Sequence, residues 1–338
     1  MQFPSNDSNP LIIPGTPRRV EDALRELNLP SPRSVLSSVF GPYSISSETG
    51  PIKKVIIGEP FAGVNYDPAK APPIDHLTRI TQESGKFISA EQAEREFQGF
   101  RRTLEENGAI VASPAPIAGA YNQIYVRDIA AVIGRTLVRS SMKHAKDRAG
   151  EIAALEDLFV DAAANGREIA FCDVPGAIVE FGDIIPHNGL NFVGLGERTN
   201  KDGMMWLAKK FPELGIVPLE LRKLPGNKEA VHLDCAFACT GHQGREEAVF
   251  SPELIVNYDF VAERLRGWHL MHVTLEEQKL LATNVFSINP EKIIVRDCCE
   301  GLQKTLSDRG HEVIPLPFDA AAATGGLFRC CSLPLLRA

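Results

Sequence analysis

Near its end the chain reads Thr324-Gly325-Gly326-Leu327-Phe328-Arg329-Cys330-Cys331-Ser332-Leu333-Pro334, a glycine pair leading into two thiols. Paired glycines let a loop approach a ligand closely and aim the side chain that follows. Arg329, next to Cys330, would favour the thiolate, the form that attacks carbon. For an isolated cysteine pair the plainer reading is two small core residues beside a terminal strand, since free cysteine is usually buried and inert. Three further stretches weigh against it. Tyr121-Asn122-Gln123-Ile124-Tyr125-Val126-Arg127-Asp128 runs straight into an apolar segment. Val179-Glu180-Phe181-Gly182-Asp183 does the same and is followed by Gly194-Leu195-Gly196-Glu197-Arg198-Thr199-Asn200. Val231-His232-Leu233-Asp234, with a strand's period of two, would put an imidazole and a carboxylate on one face.

Singly, each stretch has a structural explanation. Arg127-Asp128 reads as a surface salt bridge, Glu180 as a strand-end charge, His232 as a hydrogen-bonded core histidine, and Arg198-Thr199-Asn200 as the opening of a helix. Together they supply a thiol, an imidazole and several carboxylates, which is what attack on a cationic carbon centre requires. Carboxylates in a closed site grip a planar guanidinium through paired charge-assisted hydrogen bonds. A histidine can pass a proton to a leaving amine and take one from water.

Elements from distant parts of the chain must bring these groups together. Strand-like runs with Gly or Asn-Gly turns recur at Lys53–Gly58, Ile129–Arg139, Ile184–Gly194, Val231–Ala238 and Val285–Val295, with helical stretches between them. Helices are predicted over Ala90–Asn107, Ala145–Asn165 and Asp202–Phe211, the last behind the cap-like Thr199-Asn200. Five strand-turn-strand units fit a closed cyclic arrangement, although periodicity alone predicts only an α/β domain. Residues 1–40 are rich in Pro and Ser around one amphipathic segment, Arg19–Leu27, and read as an extension to the main domain.

The 338 residues suffice for a full core, and 44% hydrophobic with 23% charged residues is an ordinary globular composition. A net charge of -7 without a long basic run argues against nucleic acid and suits a cationic substrate. Met1–Pro14 lacks the features of a signal peptide, and no apolar run approaches the roughly 18 residues of a membrane span. A cytoplasmic protein without membrane contact is expected, with free thiols rather than a disulfide framework among its seven cysteines. Cys235, Cys239 and His242, with Cys298-Cys299, have a spacing zinc could accept, but no CxxC pair is present. Gly194-Leu195-Gly196 lacks the third glycine of a nucleotide fingerprint, and there is no P-loop or G-x-S-x-G elbow.

From Ser47 to its C-terminus the chain resembles the guanidine-modifying enzymes of the pentein superfamily: arginine deiminase, dimethylarginine dimethylaminohydrolase and the amidinotransferases. Ser47-Glu48-Thr49-Gly50-Pro51-Ile52-Lys53-Lys54-Val55 resembles the family's opening strand, Asn122–Asp128 its N-x-x-x-x-R-D segment, and Glu180-Phe181-Gly182-Asp183 its EGGD, with Phe181 where glycine is usual. Gly194–Asn200 resembles GLS-x-RTN, His232-Leu233-Asp234 resembles HLD, and Gly325–Pro334 resembles the nucleophile loop, with Cys331 where the family has methionine or another large residue. The six stand in the family's order.

The resemblance implies a pentein fold, a pseudo-five-fold α/β propeller of repeated ββαβ-type units, forming one catalytic domain over 41–338. It implies Cys330 as nucleophile and His232 as general acid/base. Asp128, Glu180 and Asp234 would hold the guanidinium, while Asn122 and Arg198 would hold the amino-acid end of an arginine-like substrate. Cys331 would pack, and Phe181 would alter the pocket shape. No cofactor or metal is implied, and a homo-oligomer is compatible. The implied activity is hydrolysis of arginine or an N-methylated arginine to citrulline through a covalent thiouronium. An amidinotransferase, with an acceptor amine in place of water, is the alternative. A non-catalytic pentein that binds a macromolecule fits less well with a full Cys, His and carboxylate set.

Overall fold

The computed structural model describes residues 36–223 and 231–338, and within them the apolar runs pair into five three-stranded sheets. β1 (Ile52–Ile57) lies parallel to β2 (Ile110–Ala112). The next four sheets share one plan: an antiparallel hairpin, a helical crossover, and a third strand parallel to the second. They are β3 (Ala130–Ile133), β4 (Thr136–Arg139) and β5 (Ile169–Phe171); β6 (Ile184–His187), β7 (Leu190–Leu195) and β8 (Gly215–Glu220); β9 (Phe237–His242), β10 (Arg245–Phe250) and β11 (His269–His272); and β12 (Phe286–Asn289), β13 (Lys292–Arg296) and β14 (Glu312–Leu316). β15 (Ser332–Arg337) then pairs antiparallel with β1, so the two ends of the domain complete the first sheet together. This is the five-fold pentein propeller, and the strand pairing accounts for it: the Lys53–Gly58 run has no hairpin of its own because its antiparallel partner is the C-terminal strand.

Local chemistry sets the turns. Asn188 and Gly189, with φ of 50° and 81°, make the left-handed two-residue turn that suits the twist of the β6–β7 hairpin. Asn200 caps the helix Lys201–Lys210 by accepting from the Gly203 amide. The predicted helix at Ala90–Asn107 is observed as Ala90–Glu106, whereas the stretch Ala145–Asn165 forms two helices, Ala149–Ala153 and Glu156–Ala164. The Arg19–Leu27 segment lies outside the described residues. Among those described, no helix is long and apolar enough to cross a membrane.

Two features seat the site. The helix Ala90–Glu106 buries Phe97, Phe100 and Leu104 in the main core, where Phe97 packs at a tilt 4.6 Å from Phe318 and Phe318 stacks at 4.4 Å on Phe328, two residues before Cys330. Aromatic burial of this kind contributes several kcal/mol per ring, enough to hold a loop in place. Secondly, the chain makes one tight turn just before the first strand of each hairpin: Val126–Asp128 before β3, Phe181–Asp183 before β6 and Leu233–Cys235 before β9. Comparable turns at Leu281–Thr283 and Phe328–Cys331 precede β12 and β15.

Candidate active site

The five turns meet, and every side chain of interest lies on one or beside it. His232 and Asp234 were expected on a strand. They stand instead on an extended residue and the 3-10 turn Leu233–Cys235, because the Asp183 carboxylate accepts from the Leu233 amide at 2.8 Å and the Cys235 amide donates back to the His232 carbonyl. The strand starts only at Phe237.

Cys330 is 5% exposed and lines a small pocket with Asn122, Asp128, Arg148, Arg198, His232, Thr324 and Gly325. Its Sγ lies 3.5 Å from Asp234 Oδ2 and accepts from Asn284 Nδ2 at 3.0 Å. Burial, and then the charges of Asp234 and Asp128 among its neighbours, push the thiol well above its ordinary range. The help expected from Arg329 is absent. Its guanidinium, 3% exposed, turns beneath the site to Asp234 Oδ2 at 3.0 Å, Glu48 Oε1 at 3.1 Å and the Ile184 carbonyl at 2.8 Å, since a buried cation is held by the groups that neutralise it. Gly325 adopts φ 99°, and a Cβ on Gly326 would sit 2.5 Å from the Tyr125 ring and 2.9 Å from Cys330 Cβ, so both glycines are required by the approach of the loop. Cys331 is fully buried in the main core.

His232 Nε2 hydrogen-bonds Glu180 Oε2 at 2.9 Å, and Nδ1 lies 3.7 Å from Asp128 Oδ1. Burial opposes its charge, yet Asp128, Glu180 and Asp183 outweigh burial and raise its pKa to about 9. Glu180 departs from its expected place on the substrate. It is fully buried and absent from the pocket wall, and its oxygens are taken by the Lys143 amide at 3.0 Å, Arg198 Nη1 at 3.2 Å and His232. His232, Arg198 and Arg148 hold its carboxyl well below the usual range against the effect of burial. Phe181 points away from the pocket into the apolar cluster of Val179, Ile184, Val193 and Trp206, so the ring replaces glycine without crowding the site. Gly182 is where space is short: a Cβ there would lie 2.5 Å from His232 Cγ.

Asp128 and Arg127 do not form a surface pair. Both are buried; Arg127 Nη1 reaches Glu48 at 3.4 Å, and Asp128 Oδ2 accepts from Arg148 Nη1 at 2.7 Å. Asp128 Oδ1 accepts no hydrogen bond among the described residues and faces His232 Nδ1 at 3.7 Å. Asn122 and Arg198 line the pocket with Arg148, whose Nη2 reaches the Asn122 carbonyl at 3.5 Å.

Arg148 and Asn284 were missed in the sequence. Arg148 ends the charged run Lys143-His144-Ala145-Lys146-Asp147-Arg148, which reads as a solvated face. Asn284 is one neutral amide ahead of a strand and carries no signal of its own.

Among the described residues one group could offer metal ligands: Asp128, Glu180 and His232, with ligand atoms within 4.8 Å of one another. The guanidiniums of Arg148 and Arg198 already sit on those two carboxylates, so the cluster suits its arginines better than a metal ion. Cys235 and Cys239 are buried while His242 and Cys298 are exposed, and no zinc set assembles from them.

A thiol, an imidazole and two carboxylates thus come together where the turns that precede the five repeated sheets meet. The fold is that of the penteins, and the chain belongs to the family of the uncharacterized protein YkgA of Bacillus subtilis, to which it is 31% identical over 220 residues, 65% of this chain and 71% of that protein. It is also similar to inosamine-phosphate amidinotransferase 1 of Streptomyces glaucescens, at 22% identity over 87% of this chain and 96% of the relative. In fold it is similar to the product-bound N-terminal domain of ArgZ, an arginine dihydrolase from Cyanobacteria, with a TM-score of 0.70 and 22% identity over 85% of this chain and 98% of that one. No family model matches the chain.

Proposed function

We propose that this protein is a cysteine hydrolase of a guanidine, converting arginine or an N-methylated arginine to citrulline with release of ammonia or methylamine. The observation that carries this reading is the Cys330 thiol 3.5 Å from Asp234, in a pocket that Cys330 lines with His232 and Asp128. Asp234 is fully buried behind the pocket wall on Arg329, so a guanidinium docked in the pocket meets Asp128; its charge offsets part of the negative field that holds the thiol protonated, and the thiol releases its proton to solvent when its target is in place. The thiolate attacks the guanidinium carbon and a C–S bond forms. His232, protonated near neutral pH, gives its proton to the departing amine as the C–N bond breaks. The neutral imidazole then takes a proton from water, the resulting hydroxide adds to the thiouronium carbon, and the thiolate leaves as the hydroxyl proton of the adduct passes to solvent, giving the neutral urea. In this scheme Glu180 orients His232 rather than touching substrate, and Asn122, Arg148 and Arg198 face its amino-acid end.

Amidino transfer is the second reading, favoured by the similarity to an amidinotransferase over 96% of that enzyme. Mass spectrometry of the products from arginine, methylated arginines and agmatine, with and without glycine, separates the two. Citrulline formed without an acceptor is the expected result. Ornithine appearing only with an acceptor amine would move the assignment to transfer, and the absence of turnover on every guanidine would overturn both.

A further inference from the structure

Arg148 stands where the cation of a substrate is expected. It lines the catalytic pocket, is only 2% exposed, and donates through Nη1 to Asp128 Oδ2 at 2.7 Å. A carboxylate already neutralised by a fixed guanidinium has little field left for a second one. Glu151, which takes no part in the reaction steps, bears on this conflict. It lies three residues beyond Arg148 on the short helix Ala149–Ala153 and is 1% exposed. It accepts from Arg148 Nε at 2.6 Å and pairs with Nη2 at 2.5 Å, and among the described residues it meets no other cation. Nε and Nη2 form the side edge of the guanidinium, so one carboxylate fixes its plane and turns the end edge towards Asp128 and the Asn122 carbonyl. The helix itself is pressed onto the segment leading to Asn122: a Cβ on Gly150 would lie 3.3 Å from Ala120 Cβ and 3.4 Å from Ile117 Cγ2. Burial opposes the charge on Arg148, yet Glu151 and then Asp128 outweigh burial and raise its pKa.

We propose that Glu151 is a positioning residue that acts through Arg148: by neutralising Arg148 and fixing its plane, it leaves the charge of Asp128 to a cationic ligand and so sets the affinity of the pocket for a guanidinium. The inference rests on the guanidine-modifying reading of that pocket. Burial lifts the Glu151 carboxyl to about 7 against the pull of Arg148, with Asp128 and Glu180 adding to the rise, so the group is mostly ionised above that pH.

The experiment compares two alkylating agents on the full chain at about pH 8, above the Glu151 pKa: 2-chloroacetamidine, a small cation without an amino-acid tail, and iodoacetamide, which is neutral. The ratio of their rates on the peptide carrying Cys330, each relative to free cysteine, reads cation capture and cancels changes in the thiol itself. In Glu151→Gln the ratio should fall roughly tenfold or more, because Arg148 is left to neutralise Asp128. The double variant Arg148→Gln with Glu151→Gln, which carries neither charge, should return it to within about threefold of native. The native protein gives a reading that depends on no variant's folding. As the pH falls from about 8 to about 6, Glu151 takes up a proton and the ratio should drop severalfold. Arg148, Asp128 and Glu180 are the charged groups that face Glu151. Asp183, whose carboxyl burial also lifts to about 7, titrates in the same window but is retained in the double variant, where the ratio should stay flat. A ratio unchanged in Glu151→Gln, equally low in the single and double variants, or constant with pH in the native protein overturns the inference while leaving the guanidine reading intact. A native protein that shows no preference for the amidine over iodoacetamide would instead count against the guanidine reading itself.

Discussion

Asn284 Nδ2 donates to Cys330 Sγ at 3.0 Å while its Oδ1 accepts from the Arg329 amide at 3.1 Å, so one side-chain amide fixes both the thiol and the backbone that carries it. A donor to sulfur stabilises thiolate over thiol. Asn284→Ala should therefore lower kcat/KM by roughly 10- to 100-fold, the equivalent of about 1.5–3 kcal/mol for a hydrogen bond to a charged group. Alkylation of Cys330 by iodoacetamide, followed against pH, should show the thiol titrating at higher pH in the variant. An unchanged profile would make Asn284 a purely structural residue.

The contrast between Asn284 and His232 marks how far the sequence could be read. Cys330, His232, Asp128 and Asp234 are uncommon types in apolar surroundings, and the recurring strand runs placed each near the edge of a repeat. What spacing could not supply was direction. Glu180 and Asp128 look alike in the sequence, and only packing turns one carboxylate toward His232 and Arg198 and leaves an oxygen of the other unpartnered. Arg329 was legible as a neighbour of the thiol, but the buried charges of Glu48 and Asp234, far apart in the chain, decide where its guanidinium goes. The fold was more legible than the site because a hairpin repeats, whereas the completion of the ring by β15 on β1 is a single long-range pairing.

His232 carries a pH dependence whose sign follows from its surroundings. Its pKa rises from 6.5 to about 9, so between those values the folded protein holds a proton that the unfolded chain has lost. The stabilisation, about 3 kcal/mol, is complete below pH about 6.5 and is lost as the pH rises through about 9. The melting temperature of the native protein should fall across that window. His232→Gln should be flat there, and an identical fall in both proteins would show that another group is responsible.

Glu180→Gln removes one of the charges that keep His232 protonated. The imidazole should then titrate at least one unit lower, and the alkaline limb of kcat should move with it. The change also leaves Arg198 without its carboxylate in a buried setting, so a loss of about 3–5 kcal/mol in stability is expected beside the kinetic effect. A less stable protein with the native pH profile would separate Glu180 from His232.

At Gly182 the constraint is steric. An added methyl would lie 2.5 Å from His232 Cγ, and the ring must shift away from Glu180 to admit it. Gly182→Ala should lower kcat by about 100-fold with KM little changed, because a misplaced acid affects the chemical step more than docking. Gly63→Ala, where a Cβ meets nothing within 4 Å but φ is 70°, serves as a control for backbone strain and should leave kcat nearly intact.

The central claim is that Cys330 Sγ bonds to the guanidinium carbon, and trapping that bond tests it most directly. Arginine labelled with carbon-13 at the guanidinium carbon is mixed with the native protein, the reaction is quenched in acid during turnover, and the peptides are mapped by mass spectrometry. The account predicts labelled carbon on the peptide carrying Cys330, present in Cys331→Ser and absent in Cys330→Ser. For hydrolysis, the adduct has the mass of the substrate less ammonia and keeps the amino-acid chain. An adduct of the amidino group alone would keep Cys330 as nucleophile and assign transfer instead. Label on Cys331, or turnover by Cys330→Ser with no adduct on any cysteine, would contradict the account.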